Sequence, residues 1–194
     1  MPYSSRMSTL IQILTCSTRP GRVGPKITHW LAGEARRLAI ADIEVVDLAD
    51  FALPVFDEPK HPRLQQYERE HTKQWSQTVA RADGFVFVTP EYNYGPPPSL
   101  VNAMNYLNRE WHYKPVAFAS YGGISGGVRA VEAIKQLATT LRMVPVLEAV
   151  VAPMVAAQIT ADGFQASQVQ VDAVRPMLAE VDRLARALKP LRAG

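Results

Sequence analysis

"GFVFVTPEYNYGPPPSL", residues 84–100, joins an apolar run to an acid, two tyrosines, an asparagine, a glycine and three prolines. Val and Phe without polar alternation suit a strand buried on both faces of a parallel sheet. A plain connection needs only two or three polar residues. This one places aromatics and rigid prolines at the strand's carboxyl end, where open α/β sheets bind ligands. Gly95 permits a sharp turn. Pro96 to Pro98 fix an extended approach and suit the first turn of a helix beginning "SLVNAMNYL".

Working outward, "TLIQILT" (9–15), "IEVVDL" (43–48), "PVAFASY" (115–121) and "VLEAVV" (146–151) read as further strands of the same buried kind. Helical patterns occupy about 24–40, 64–82, 97–109, 126–143 and 169–189. Val128, Val131, Ile134, Leu137, Ala138 and Leu141 fall on one stripe at helical spacing. So do Val174, Met177, Leu178, Val181, Leu184 and Leu188, with Pro176 marking a late start or a kink. Strands alternating with helices predict an α/β protein with a parallel sheet covered on both faces. Right-handed crossovers give five strands in the order 2-1-3-4-5, a flavodoxin-like three-layer sandwich.

The chain of 194 residues suffices for one sizeable core. No repeat or linker divides it, so residues 9–194 form a single domain and residues 1–8 a flexible tail. Apolar residues make up 47% and charged residues 20%, which excludes a disordered chain. A net charge of +3 without a long basic run argues against nucleic acid as partner while suiting anionic small molecules. The single cysteine, Cys16, excludes an internal disulfide and agrees with a reducing, cytoplasmic location. No apolar run approaches the ~18–20 residues that span a bilayer.

Three loops follow strands one, three and four. The first, "CSTRPGRVGPK" (16–26), combines Ser17, Thr18, Arg19 and Arg22 with two glycines ahead of a helix. Free N–H groups and the positive dipole end make such a helix start a phosphate site, and arginine adds charge-assisted bonds. Only two residues separate Gly21 from Gly24, and Pro25 precedes Lys26, so this is no P-loop. No G-x-G-x-x-G fingerprint occurs either. A Gly/Pro-rich surface turn with solvated arginines is the plain alternative. The second loop is the opening stretch, in which rigid backbone amides and tyrosines suit a flat polar ring; tyrosines filling core gaps are its alternative. In the third, "SYGGISGGVRA" (120–130), four glycines in six positions permit close backbone approach to a ligand.

"STRPGR", "TPEYNYGPPPSLVNAMNYL" and "KPVAFASYGGISGG", in that order and spacing, resemble the NADPH-dependent FMN reductase family, the flavodoxin-like quinone, azo and chromate reductases. The resemblance covers roughly residues 9–150 and is most specific in the second motif. It implies FMN across the carboxyl ends of the strands, with NADPH or NADH as electron donor. Ser17, Arg19, Arg22, Val23 and Gly24 would hold the phosphate. Pro90, Glu91, Tyr92 and Asn93 would flank the isoalloxazine, and Ser120, Gly122 and Gly123 would close the pocket. The chain departs from many members in having Val-Gly-Pro-Lys where a serine or asparagine follows the loop glycine, which puts more weight on Arg19, Arg22 and backbone N–H groups.

A flavin carries the redox chemistry itself, so no catalytic side chain is assigned. Backbone N–H groups at the ring edge would stabilise the reduced flavin. A carboxylate there would oppose it, so Glu91 is expected to point elsewhere. One open face serving both donor and a flat acceptor implies ping-pong reduction of quinones, azo compounds, chromate or free flavin. A non-catalytic electron carrier or redox-responsive module is the alternative, and carriers usually have an acidic docking face. The resemblance further implies a homodimer, or a pair of dimers forming a tetramer. Leu100, Met104 and Leu107 near one face of the third helix, with Met104 on an exposed flank, are the expected contact.

The remaining reactive residues read as structural. Cys16 suits a small buried residue better than a redox thiol, and His29, His61, His71 and His112 lack metal-ligand spacing. Trp111 and Tyr113 read as core edge or dimer contact. Residues 154–167 contain the turn "ADG" and fit a small hairpin, a lid or a dimer arm.

Overall fold

The computed structural model describes residues 8–193; of the expected N-terminal tail, residues 1–7 lie outside them. The element order is β1 (Leu10–Thr15), α1 (Gly24–Leu38), β2 (Asp42–Asp47), α2 (Glu70–Arg81), β3 (Gly84–Pro90), α3 (Pro98–Asn105), β4 (Pro115–Tyr121), α4 (Val128–Thr140), β5 (Val144–Ala152), β6 (Ile159–Thr160), β7 (Gly163–Phe164) and α5 (Gln168–Leu188). The main sheet is parallel in the order β2-β1-β3-β4-β5. This is the flavodoxin-like arrangement.

Side chains alternate across each strand, and the two faces collect different residues. Phe85, Phe87, Val116 and Phe118 face α2, α3 and α4, where they meet Trp75, Leu100, Met104 and Ile134. Ile11, Ile13, Val86, Val88, Ala117 and Ala119 face α1 and α5, against Ile27, Leu31, Val174 and Val181. Trp111 is wholly buried among Trp75, Phe85 and Phe87, a core residue. The outer runs differ from expectation. β2 and β5 are edge strands, and Val45 and Leu147 on them face solvent.

α2 and α3 are shorter than their sequence patterns, and α5 keeps the expected length. The 64–82 pattern yields a helix only from Glu70, after a short 3₁₀ turn at Pro62–Leu64 and a left-handed Gln65. The Glu58 carboxylate accepts the N–H groups of Glu68 and Arg69 at 2.9 Å each, so a residue ten positions upstream anchors the chain just ahead of α2. α3 ends at Asn105, before a 3₁₀ turn at Arg109–Trp111 that sends Trp111 into the core. α5 starts at Gln168 with a capping box, Gln170 N–H to Ser167 Oγ and Ser167 N–H to Gln170 Oε1, and holds Pro176 inside it. Residues 159–164 form an antiparallel hairpin folded onto α1, with Phe164 edge-on to Trp30 and Lys26 Nζ donating to the Thr160 carbonyl at 2.6 Å.

The expected contact face of α3 is corrected. Leu100, Met104 and Leu107 are buried in their own core, Met104 at 0% exposure, so that face has no surface to offer a second copy.

Gly24 shows how closely α1 approaches the sheet. A Cβ there would lie 2.8 Å from Tyr121 Oη and 3.2 Å from Thr15 Cγ2. Its glycine therefore lets the helix start settle on the ends of β1 and β4. Gly24→Ala is expected to lower stability by about 1–3 kcal/mol through overpacking, read from the denaturant midpoint. Adding Tyr121→Phe, which removes the nearest atom, should recover part of that loss.

Candidate active site

The loops after β1, β3 and β4 converge at the carboxyl edge of the sheet, and they are stitched to one another. At the first, Cys16 N–H donates to the Val88 carbonyl (3.0 Å), continuing the pairing of β1 with β3. Ser17 Oγ, fully buried, shares a 2.6 Å hydrogen bond with Tyr92 Oη of the second loop. Ser99 Oγ, in the first turn of α3, donates to the Cys16 carbonyl at 2.6 Å. The Arg19 guanidinium lies 6.0 Å from the Tyr92 ring centre.

The amino end of α1 is open. Its N-cap residue, Val23, provides no capping side chain, and Pro25 occupies the first turn. Within the first turn Pro25 has no N–H and Lys26 N–H donates to the Val23 carbonyl at 3.0 Å, while no side chain caps the Gly24 N–H. Two further polar atoms nearby, Arg22 Nε and Tyr121 Oη, are buried without a partner among the described residues. An uncapped helix start beside cationic side chains and orphaned buried donors fits a phosphate-bearing group.

Arg22 and Arg19 differ in circumstance. Arg22 Nη2 pairs with Asp47 Oδ2 at 2.6 Å, at the end of β2, so part of its guanidinium is already committed. Arg19 is exposed, and among the described residues no carboxylate pairs with it. Cys16 is wholly buried, as the sequence suggests; burial first, and then the Asp47 charge, push its thiol pKa well up.

The second loop is a two-residue turn. Tyr92 and Gly95 exchange backbone hydrogen bonds of 2.9 Å, while Asn93 (φ 49°) and Tyr94 (φ 66°) take left-handed conformations. Glu91 N–H donates to the Tyr121 carbonyl at 3.1 Å. Its side chain turns away to the third loop, accepting from Ser125 Oγ (2.9 Å) and from Arg129 N (3.2 Å) and Nε (2.7 Å). Burial acts to raise the Glu91 carboxyl pKa, but these donors outweigh it and hold it below the usual range.

In the third loop, Gly126 and Gly127 have positive φ, and a Cβ on either would strike neighbouring atoms at 2.5–2.8 Å. The Gly122 and Gly123 carbonyls accept Val155 N–H (3.0 Å) and Met154 N–H (2.8 Å), fixing the loop to the end of β5. Ser120 is buried within β4 opposite Thr89. All twelve candidate residues thus lie on the three converging segments. Sequence reasoning missed Asp47, Ser99, Tyr121, Ser125 and Arg129, whose contacts cross between segments. Among the described residues no group of His, Cys, Asp or Glu is placed to hold a metal, and no helix is long and apolar enough to cross a membrane. A groove of about 1610 Å³, lined by residues including Arg63, Arg109, His112 and Arg142, shares no residue with these loops.

A doubly wound sheet with an open anion cradle and rigid loops at its carboxyl edge defines a nucleotide- or flavin-binding class. The NADPH-dependent FMN reductase family model matches residues 9–157, and the chain belongs to that family of oxidoreductases. It is 41% identical over 140 residues to the NAD(P)H-dependent FMN reductase C4B3.06c of Schizosaccharomyces pombe, covering 71% of this chain and 70% of that one. Identity to the quinone reductase of Escherichia coli K12 is 32% over 141 residues, covering 68% and 71%. Its fold is similar to that of the flavoenzyme NAD(P)H:(acceptor) oxidoreductase FerB of Paracoccus denitrificans, with TM-score 0.70 at 19% identity over 93% of this chain and 98% of that one.

The environment of Cys16 has a direct consequence. In the native protein at pH 8 its thiol is expected to resist iodoacetamide, and to react fully once guanidinium unfolds the chain. Mass spectrometry of the alkylated peptide reads both states.

Proposed function

We propose that the three loops hold FMN and that the protein passes two electrons from NADPH or NADH, through that flavin, to quinone-like acceptors. The observation that carries this reading is the uncapped start of α1 with Arg19 and Arg22 beside it, facing a turn held rigid at Tyr92–Gly95. One phosphate fits that cradle, and no dinucleotide fingerprint accompanies it.

Bound FMN supplies a ring that accepts hydride and stores two electrons. The chain's own residues bind and orient it. Ser17, Arg19 and the backbone of Val23 and Gly24 would take the phosphate, and the uncommitted part of Arg22 would assist. The backbone of Pro90 to Asn93, kept in place by the Ser17–Tyr92 bond and by Glu91 N–H on the Tyr121 carbonyl, would flank the ring. Ser120, Gly122 and Gly123 close the far side. No side chain is assigned a proton transfer.

Donor and acceptor would then share one site and react in turn. Quinones are the acceptor class favoured by the similarity to the E. coli enzyme, with azo compounds, chromate and free flavin as further candidates of the same kind. The buried single thiol suits a reducing compartment, and this reading places the protein in the cytoplasm.

The assembly we propose is a homodimer, which a second pairing would turn into a tetramer. Support comes from the exposed apolar residues Tyr94, Ile124, Val128 and Met154, which rim the second and third loops instead of lying on α3. Contiguous apolar patches of this kind mark interaction sites, and two-fold pairing is the commonest way to cover one. Sedimentation at micromolar concentration is expected to give a dimer or tetramer; a monomer would remove this part of the reading.

The purified protein is expected to be yellow and to release FMN, not FAD, on denaturation. With NAD(P)H and a quinone, initial rates should give parallel double-reciprocal lines. A colourless protein that takes up no added FMN would overturn the cofactor assignment. Intersecting lines would overturn the shared face.

A further inference from the structure

Glu91 lies in the middle of the second loop, yet its side chain is only 6% exposed. Every donor it meets comes from the third loop or the start of α4. Ser125 Oγ and Arg129 N and Nε bond it, Arg129 Nη2 reaches the same carboxylate, and Arg129 Nη2 also donates to Ser125 Oγ at 3.0 Å. Two segments 38 residues apart in sequence are held by one ion pair with its hydrogen bonds.

A second observation concerns Tyr94. It occupies the second central position of the Tyr92–Gly95 turn with φ 66°, where two-residue turns favour glycine and a bulky side chain is out of place. Gly95 falls one position too late to serve. The Tyr94 ring covers the Arg129 guanidinium at 3.6 Å from its centre. That cation–π contact offsets the backbone cost of the turn. Arg129 is therefore sandwiched, with Glu91 bonded at its edge and Tyr94 over its face.

We propose that Arg129 is a positioning residue for the flavin site, cancelling the charge of Glu91 and locking the second and third loops into one arrangement. The inference rests on the reading that these loops hold FMN. A flavin gains negative charge when reduced, and an uncompensated carboxylate in the flanking loop disfavours the reduced form more than the oxidised one. Loss of loop order alone would weaken both forms alike and leave the potential unchanged. The midpoint potential of the bound flavin therefore separates an electrostatic role from a merely structural one.

The experiment is dye-equilibrated reductive titration of FMN-loaded protein at pH 8, paired with FMN binding to the apoprotein. In Arg129→Gln the reduced flavin is expected to bind roughly tenfold more weakly relative to the oxidised one, a potential lower by about 30 mV for a two-electron couple. Glu91→Gln, which leaves Arg129 unopposed, should raise the potential. The double variant Glu91→Gln/Arg129→Gln should return near the unmodified value, and Arg129→Lys should keep most of it. If Arg129→Gln does not fold, Glu91→Gln and Arg129→Lys carry the comparison. An unchanged potential in Arg129→Gln or Glu91→Gln, with FMN still bound, overturns this inference alone. Failure of the unmodified protein to bind FMN overturns the cofactor reading and this inference with it.

Discussion

Burial of β1, β3 and β4 on both faces is the constraint from which the rest of the structure follows. A strand enclosed on both sides must satisfy its backbone through its neighbours, and the parallel pairing does so from Ile11 to Thr15 and from Phe85 to Pro90. Parallel strands need crossovers, and crossovers bring every following segment out at the same edge. The three polar, glycine- and proline-rich segments therefore meet at one end of the sheet. α1, α3 and α4 all begin there, and the start of α1 is left uncapped.

Convergence alone would leave three independent loops. Polar contacts join them instead: Ser17 with Tyr92, Ser99 with the Cys16 carbonyl, Glu91 with Ser125 and Arg129. Each acts where backbone is already anchored to the sheet, so little conformational freedom remains for a ligand to remove. The charges follow a common pattern. Asp47 engages Arg22 and Arg129 engages Glu91, while among the described residues Arg19 has no carboxylate partner beside the open end of α1.

The apolar surface is distributed by the same logic. α3 turns Leu100 and Met104 inward, and the chain just after it does the same with Leu107, because the aromatic layer of Phe87, Trp75 and Trp111 lies beneath. Among the exposed apolar side chains, Tyr94, Ile124, Val128 and Met154 lie on loops or helix starts around the site, while Val45 and Leu147 lie on the edge strands. The mouth of the site thus carries exposed apolar surface, whereas α3 buries Leu100 and Met104.

The amino-acid sequence by itself determined the fold and marked the three loops of the candidate site. Unbroken apolar runs specified central strands, their alternation with helical stripes specified the order of the sheet, and the punctuation of Gly, Pro and Tyr after β3 marked the loop. These signals are local, and local patterns survive without knowledge of neighbours. Tertiary structure decided what depends on distant partners. The carboxylate of Glu58 anchors the chain ahead of α2 although the helical pattern begins earlier. Gly24 packs against Tyr121, almost a hundred residues away, a contact no local pattern announces. Neither edge strand could be told from a central one, because exposure is set by who pairs alongside. The Glu91–Arg129 pair and the inward turn of Met104 were equally hidden, since spacing along a chain carries no record of which side chains meet across a fold.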